Sequence, residues 1–170
     1  TKQWTRQLGS SSHESGESIA VDSSDNIYVT GYAEGGLDNN TYSGSKDIIL
    51  VKYNDNGTKQ WTKQLGTSGE NNGQGVVVDS SDNIYVTGYT QNGLDGNSSL
   101  GGNDIFLAKY YDNGTKQWTK LLGSSGHDYG QGIAVDSSDN IYITGFTSGG
   151  LDNNTSSGSD DIILVKYYDN

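Results

Sequence analysis

The chain has 170 residues, with 10 lysines and arginines against 21 aspartates and glutamates, giving a formal net charge of −11. Its length is that of one ordinary domain. Cysteine, methionine and proline are absent. The absence of cysteine excludes disulfides, thiolate metal sites and cysteine nucleophiles. The acidic balance disfavours nucleic acids and anionic membranes and leaves cations, neutral glycans and proteins as partners. No apolar run approaches the roughly 18 residues of a membrane span.

The sequence repeats itself with a period of 57 residues. The tetrapeptide Thr-Lys-Gln-Trp begins three copies, so the single domain 1–170 divides into repeats 1–57, 58–114 and 115–170. The second and third copies are identical at 38 of 56 aligned positions, which indicates recent duplication or deliberate design. Residues 57 apart are called equivalent below.

Each copy predicts only strands and turns. In chain order from the first copy into the second, the predicted strands are residues 18–22, 27–32, 47–53 and 58–65. The polar turn 22–26 and the Asn56-Gly57 turn separate the paired strands, because these residue types favour tight turns. The apolar run 47–53 predicts a strand that is buried on both faces. Four antiparallel strands per repeat are typical of a β-propeller blade, so the predicted fold is all-β.

Two stretches of the third and second copies carry a family resemblance. Residues 130–145 (GQGIAVDSSDNIYITG) and 104–110 (DIFLAKY), the latter followed by DNG at 112–114 and LGS at 122–124, resemble the bacterial SBBP beta-propeller repeat. The resemblance covers all three copies and implies a surface or secreted propeller with no shared catalytic residues. If the protein is natural, we therefore expect it outside the cell or at its surface. The turn Ser-Asp-Asn and the absence of proline depart from the family pattern.

The phase of the repeat predicts how the ring closes. Residues 2–8 match an outer strand that has no blade of its own, and the last blade, which ends at strand 161–168, lacks that outer strand. A ring needs 4–8 blades as a rule, so three blades do not close alone. We expect a homodimer with six blades, in which strand 2–8 pairs with strand 161–168 of the second copy. Three copies with nine blades, or a piece of a longer propeller, are the alternatives.

The loops between the second and third strands of each copy are rich in oxygen ligands. The sequence predicts no cofactor, and calcium, which prefers carboxylate and carbonyl oxygens, is the one candidate ion. The candidate ligands are Asp38, Asn40, Asp95, Asn97, Asp152 and Asn154. Solvated loop residues that bond their own turns are the plainer interpretation of the same pattern.

The copies differ most in the long loops, which we expect on one face of the ring together with any ligand. Acidic residues that would attract a cation there are Glu14, Glu17, Glu70 and Asp128. Aromatic residues that end the second strand, and that would stack on a sugar, are Tyr32, Tyr89 and Phe146. Packing in the core is the plainer role for these aromatic rings.

The residue pattern favours a non-catalytic scaffold or binding module. Enzyme sites draw different residues from different blades, whereas here each blade nearly repeats its neighbours. A multivalent glycan-binding propeller is the alternative, and a hydrolase or lyase is a weaker one. His13 and His127 occupy equivalent positions, yet no Gly-x-Ser-x-Gly motif accompanies them.

Overall fold

The computed structural model describes residues 1–168, and all regular secondary structure within them is β-strand. The strands are β1 (Glu14–Val21), β2 (Ile27–Ala33), β3 (Asp47–Tyr53), β4 (Lys59–Leu65), β5 (Asn71–Val78), β6 (Ile84–Gln91), β7 (Asn103–Tyr110), β8 (Lys116–Leu122), β9 (Asp128–Val135), β10 (Ile141–Thr147) and β11 (Asp161–Tyr167). The expected all-β class is confirmed for this part of the chain.

Within the described residues the strands form three antiparallel sheets. The first sheet has the order β1-β2-β3-β4, the second β5-β6-β7-β8, and the third β9-β10-β11. The first strands of neighbouring sheets touch, β1 with β5 and β5 with β9, so these strands form the inner edge of the stack. The third sheet has three strands, as the repeat phase predicts.

Turn chemistry fixes the hairpins within each sheet. Asp22 accepts hydrogen bonds from the backbone N–H groups of Ser24 and Asn26, both at 2.9 Å, and so closes the turn between β1 and β2. The turn between β3 and β4 places Gly57 at φ +78°, a conformation that glycine adopts without steric cost. The same two devices recur in the second repeat, so sheet geometry follows the sequence period.

The core lies between the sheets rather than within any one of them. In the first junction, where the first and second sheets pack, Tyr28, Ile48 and Leu50 contact Val76 and Phe106. The second junction, between the second and third sheets, buries the equivalent kinds of side chain. The apolar run of β3 is buried on both faces, as expected, because each face lies against a different partner.

The predicted boundaries of the inner strands were wrong. The inner strands begin earlier than expected, at Glu14, Asn71 and Asp128, because backbone pairing with the second strand continues through a bulge, as between Gly16 and Ser18. Residues 2–8 are not in a strand of the single chain, and their pairing with a second copy stays a prediction. The conformation and the contacts of this N-terminal segment (residues 1–8) bear on the functional site.

Candidate functional site

The aromatic residues that end the second strands lie at the inner side of the junctions. In the second junction Tyr129 lies between Tyr89 and Phe146, with ring centroids 4.8 and 4.7 Å away. In the first sheet the Lys46 ammonium lies 4.7 Å from the centroid of the Tyr32 ring. Burial raises the pKa of Tyr89. Tyr89 and Phe146 thus serve in packing, at least on the sides that Tyr129 covers.

The acidic residues expected to attract a cation do not form one cluster. Asp128 is fully buried and accepts a hydrogen bond of 2.7 Å from the backbone N–H of Ser124. Glu14 accepts one of 3.0 Å from the backbone N–H of Ser10. Glu70 pairs with Lys46 at 4.0 Å, and Glu17 is exposed on β1. Among residues 1–168 no group of three or more histidine and acidic side chains could hold a metal.

The calcium candidates in the loops take part in local bonds. Asp38 pairs with Lys59, which holds the pKa of the Asp38 carboxyl below its usual value, and Asp95 pairs with Lys116. The asparagines donate their side-chain amide groups to the carbonyl oxygens three residues earlier: Asn40 to Leu37, Asn97 to Leu94 and Asn154 to Leu151, at 2.8–3.0 Å. Asp152, at φ +49°, occupies the equivalent turn position. The calcium prediction stays untested.

The turns between the first two strands of each sheet link the sheets to one another. Ser23 Oγ donates to the Asp82 carboxylate at 3.1 Å, and Ser80 Oγ donates to Asp139 at 2.6 Å. The bonds that Ser80 donates lower the pKa of Asp139. These carboxylates therefore stabilise the stacking of neighbouring sheets.

Two sheet faces, one at each end of the stack, expose apolar side chains. The sequence analysis did not identify these residues. The trailing face is the side of the third sheet turned away from the second, and it carries Ala134, Tyr142, Ile162 and Leu164. Ile162 and Leu164 are 90% and 76% exposed. Their equivalents in the first sheet, Ile48 and Leu50, are 2% and 1% exposed because the second sheet covers them. The repeat could have revealed this face, because it places the equivalents of core residues in the third sheet, where no further sheet of the chain covers them.

The leading face is the side of the first sheet turned away from the second. Ile19 on this face is 66% exposed, whereas its equivalent Val76 is 6% exposed. A groove of about 400 Å³ runs along the leading face between the N-terminal segment and β1. Leu8 from the segment packs against Ile49 and Val51 at one side of this groove.

The N-terminal segment lies where the outer strand of a further sheet would lie. Trp4 Nε1 donates to the carbonyl of Asp55 at 3.2 Å, and the equivalent Trp61 Nε1 donates to the carbonyl of Asp112 at the same distance. Trp61 belongs to β4, the outer strand of the first sheet. The segment thus contacts the first sheet as β4 contacts the second.

Stacked four-stranded antiparallel sheets with inner first strands and buried junctions define a β-propeller-type repeat protein. The chain matches the beta-propeller repeat family SBBP at residues 3–38, 60–95 and 117–152. It belongs to that family.

The chain is similar to an uncharacterized WD repeat-containing protein of Acanthamoeba polyphaga mimivirus. The two are 27% identical over 185 residues, an alignment that covers 86% of this chain. The chain spans 13% of that protein's length. The part of the chain that the structure describes has no helix long and apolar enough to cross a membrane.

Proposed function

We propose that the protein is a non-catalytic β-propeller scaffold or binding module that completes its ring by joining its trailing face to the leading face of a second copy. The exposure of Ile162 and Leu164, set against the burial of Ile48 and Leu50, carries this proposal. An exposed apolar face of a sheet favours a partner, because its burial is worth about 25 cal/mol per Å².

The N-terminal segment of one copy supplies the outer strand of the third sheet of the other. β3 pairs Ile48 with Leu65 and Leu50 with Lys63. The equivalent register in the closed ring pairs Ile162 with Leu8, and Leu164 with Arg6. This pairing satisfies the free edge of β11, which otherwise exposes unpaired backbone groups.

Polar contacts that β4 makes within the first sheet have counterparts in the closed ring. Lys59 pairs with Asp38, so Lys2 of the second copy would pair with Asp152. Gln64 donates to Asp47 at 3.0 Å, so Gln7 would donate to Asp161. These two pairs support the N-terminal segment as the outer strand of the third sheet.

The oligomeric state tests the proposal. Light scattering and sedimentation velocity on the whole chain should give twice the mass of one copy, or three times if the ring has nine blades. Deleting residues 1–8 should abolish the assembly or cause aggregation, because the outer strand and Leu8 are lost. A chain that stays a soluble monomer at all concentrations, or a deletion that leaves assembly and melting unchanged, would overturn the proposal.

A further inference from the structure

One pair of facing positions differs from junction to junction: the residue at the start of the third strand differs in all three repeats, and the residue at the start of the first strand is a glutamate in one repeat and a histidine in two. At the first junction Lys46 and Glu70 form a parallel bridge, and their charged groups are 4.0 Å apart. At the second junction the equivalent Asn103 donates its backbone N–H to His127 Nδ1 at 3.2 Å. The pair is thus a cation with an anion at the first junction, whereas at the second the imidazole accepts from a backbone N–H and the Asn103 side-chain amide donates to the Tyr129 hydroxyl at 2.6 Å.

The same two positions are exposed at the ends of the stack. Asp160 precedes β11 beside the trailing face, and His13 precedes β1 beside the leading face. Asp160 is equivalent to Lys46 and Asn103, whereas His13 is equivalent to Glu70 and His127. A second copy would therefore bring an aspartate to a histidine.

We infer that the Asp160–His13 pair selects a second copy of this chain, with its first sheet foremost, as the occupant of the trailing face. The inference rests on the proposed ring closure. Asp160 opposite Glu70 would bring two carboxylates together, whereas opposite His13 it meets an imidazole, the residue type that the second junction also holds. Charge complementarity at this position favours the right order of sheets and disfavours the wrong one.

The groups around His13 set the direction of its pH dependence. On its own chain His13 adjoins Glu14, and its carbonyl accepts the backbone N–H of Glu34 at 2.8 Å. From the second copy it would face Asp160, a carboxylate that His13 gains only on closure. Closure therefore favours the protonated imidazole, and the ring tightens as pH falls from 8 to 6, where histidine gains its charge.

The chain itself supplies the variants for a test. H13E places the residue type of Glu70 at the closing junction, and D160K places that of Lys46 there. H13E alone puts two carboxylates together at both junctions of a two-copy ring, and at pH 6 D160K alone puts a lysine opposite a protonated histidine. Exposed pairs change affinity by about two- to fivefold per junction. We expect each variant to dissociate about 4- to 25-fold more readily than the unaltered chain.

Mixing the two variants should restore the ring. In a mixed dimer one junction keeps Asp160 with His13, and the other joins the introduced lysine to the introduced glutamate. Native mass spectrometry, with one variant labelled with ¹⁵N, should therefore show mostly the mixed species. A ring of three copies cannot alternate two variants, so the mixing also distinguishes six blades from nine.

Matched controls alter the same residue types at the junction that the chain already holds together. H127E and N103K should leave the dissociation constant unchanged, because both residues lie within one copy. The double variant H13E/D160K should assemble like the unaltered chain but without tightening from pH 8 to 6. A dimer that ignores H13E and D160K, or mixes them at random, overturns this inference and leaves ring closure standing. A chain that is monomeric throughout overturns both.

Discussion

Truncating Leu164 to alanine perturbs the trailing face without disturbing the fold of one copy. The side chain is 76% exposed in the single chain, so its removal leaves no internal cavity. In the closed ring it would be buried like Leu50 and Leu107, which are each 1% exposed. The variant L164A therefore separates the free energy of association from the free energy of unfolding.

The expected loss follows from the area that closure would bury. Complete burial of a leucine side chain is worth about 1.5–3 kcal/mol, so three quarters of it is worth about 1–2 kcal/mol. A ring of two copies has two closing junctions, which doubles the loss to about 2–4 kcal/mol. At 1.4 kcal/mol per tenfold, the dissociation constant of L164A should rise by about 30- to 700-fold.

The matched control is L50A, the same truncation at the equivalent internal position. It should lower the free energy of unfolding by about 2–5 kcal/mol, because Leu50 is buried between two sheets of one chain. Sedimentation equilibrium measures association, and chemical denaturation of dilute monomer measures unfolding. Equal dissociation constants for L164A and the unaltered chain would refute the assignment of this face to an interface.

Three further predictions concern pH and ligands. Acid should destabilise the fold below about pH 4, because the bonds that Lys59 and Ser80 donate lower the folded-state pKa values of Asp38 and Asp139, and this stabilisation is lost as the carboxylates gain protons. The free energy of unfolding of D38N should therefore depend less steeply on pH between 5 and 2 than that of the unaltered chain, and an equal dependence would contradict this. Calcium should bind weakly, because the Asp38 carboxylate already pairs with a lysine. If calorimetric titration with calcium releases no heat and a chelator leaves the melting temperature unchanged, these loops have only a structural role. On a glycan array any binding should fall in the variant Y32A and persist in Y89A, because Tyr129 already covers the Tyr89 ring.

The repeat made most of the fold predictable. The turn at Gly57 and the doubly buried strand β3 follow from local residue chemistry, and the period then carries them through the chain. The early start of β1 could not be predicted, because Glu14 to Glu17 carry no strand pattern and join β2 through backbone pairing across a bulge. Pairing of that kind depends on the partner strand rather than on local propensity.

The candidate site was less predictable from the sequence. From the sequence, Asp128 is expected to be an exposed loop residue. It is instead fully buried, and Ser124 and Thr147 donate hydrogen bonds to its carboxylate. From the sequence, Asp38 is a candidate calcium ligand, but in the structure a lysine from β4 pairs with its carboxylate. In both cases the deciding partner lies on another loop or strand, and single-sequence patterns do not show which partner a carboxylate finds.

A repeat protein can specify its assembly by varying a few contacts on a constant frame. The packing residues of each junction are nearly the same in every copy, as Ile48, Ile105 and Ile162 illustrate, so apolar burial alone would let any leading face join any trailing face. Such a surface favours open chains of sheets as much as closed rings. The facing pair that begins with Lys46 and Glu70 differs in at least one partner at each junction, so it can record which sheets are neighbours. Affinity would then come from the constant apolar residues, and the order of the sheets from the variable polar pair.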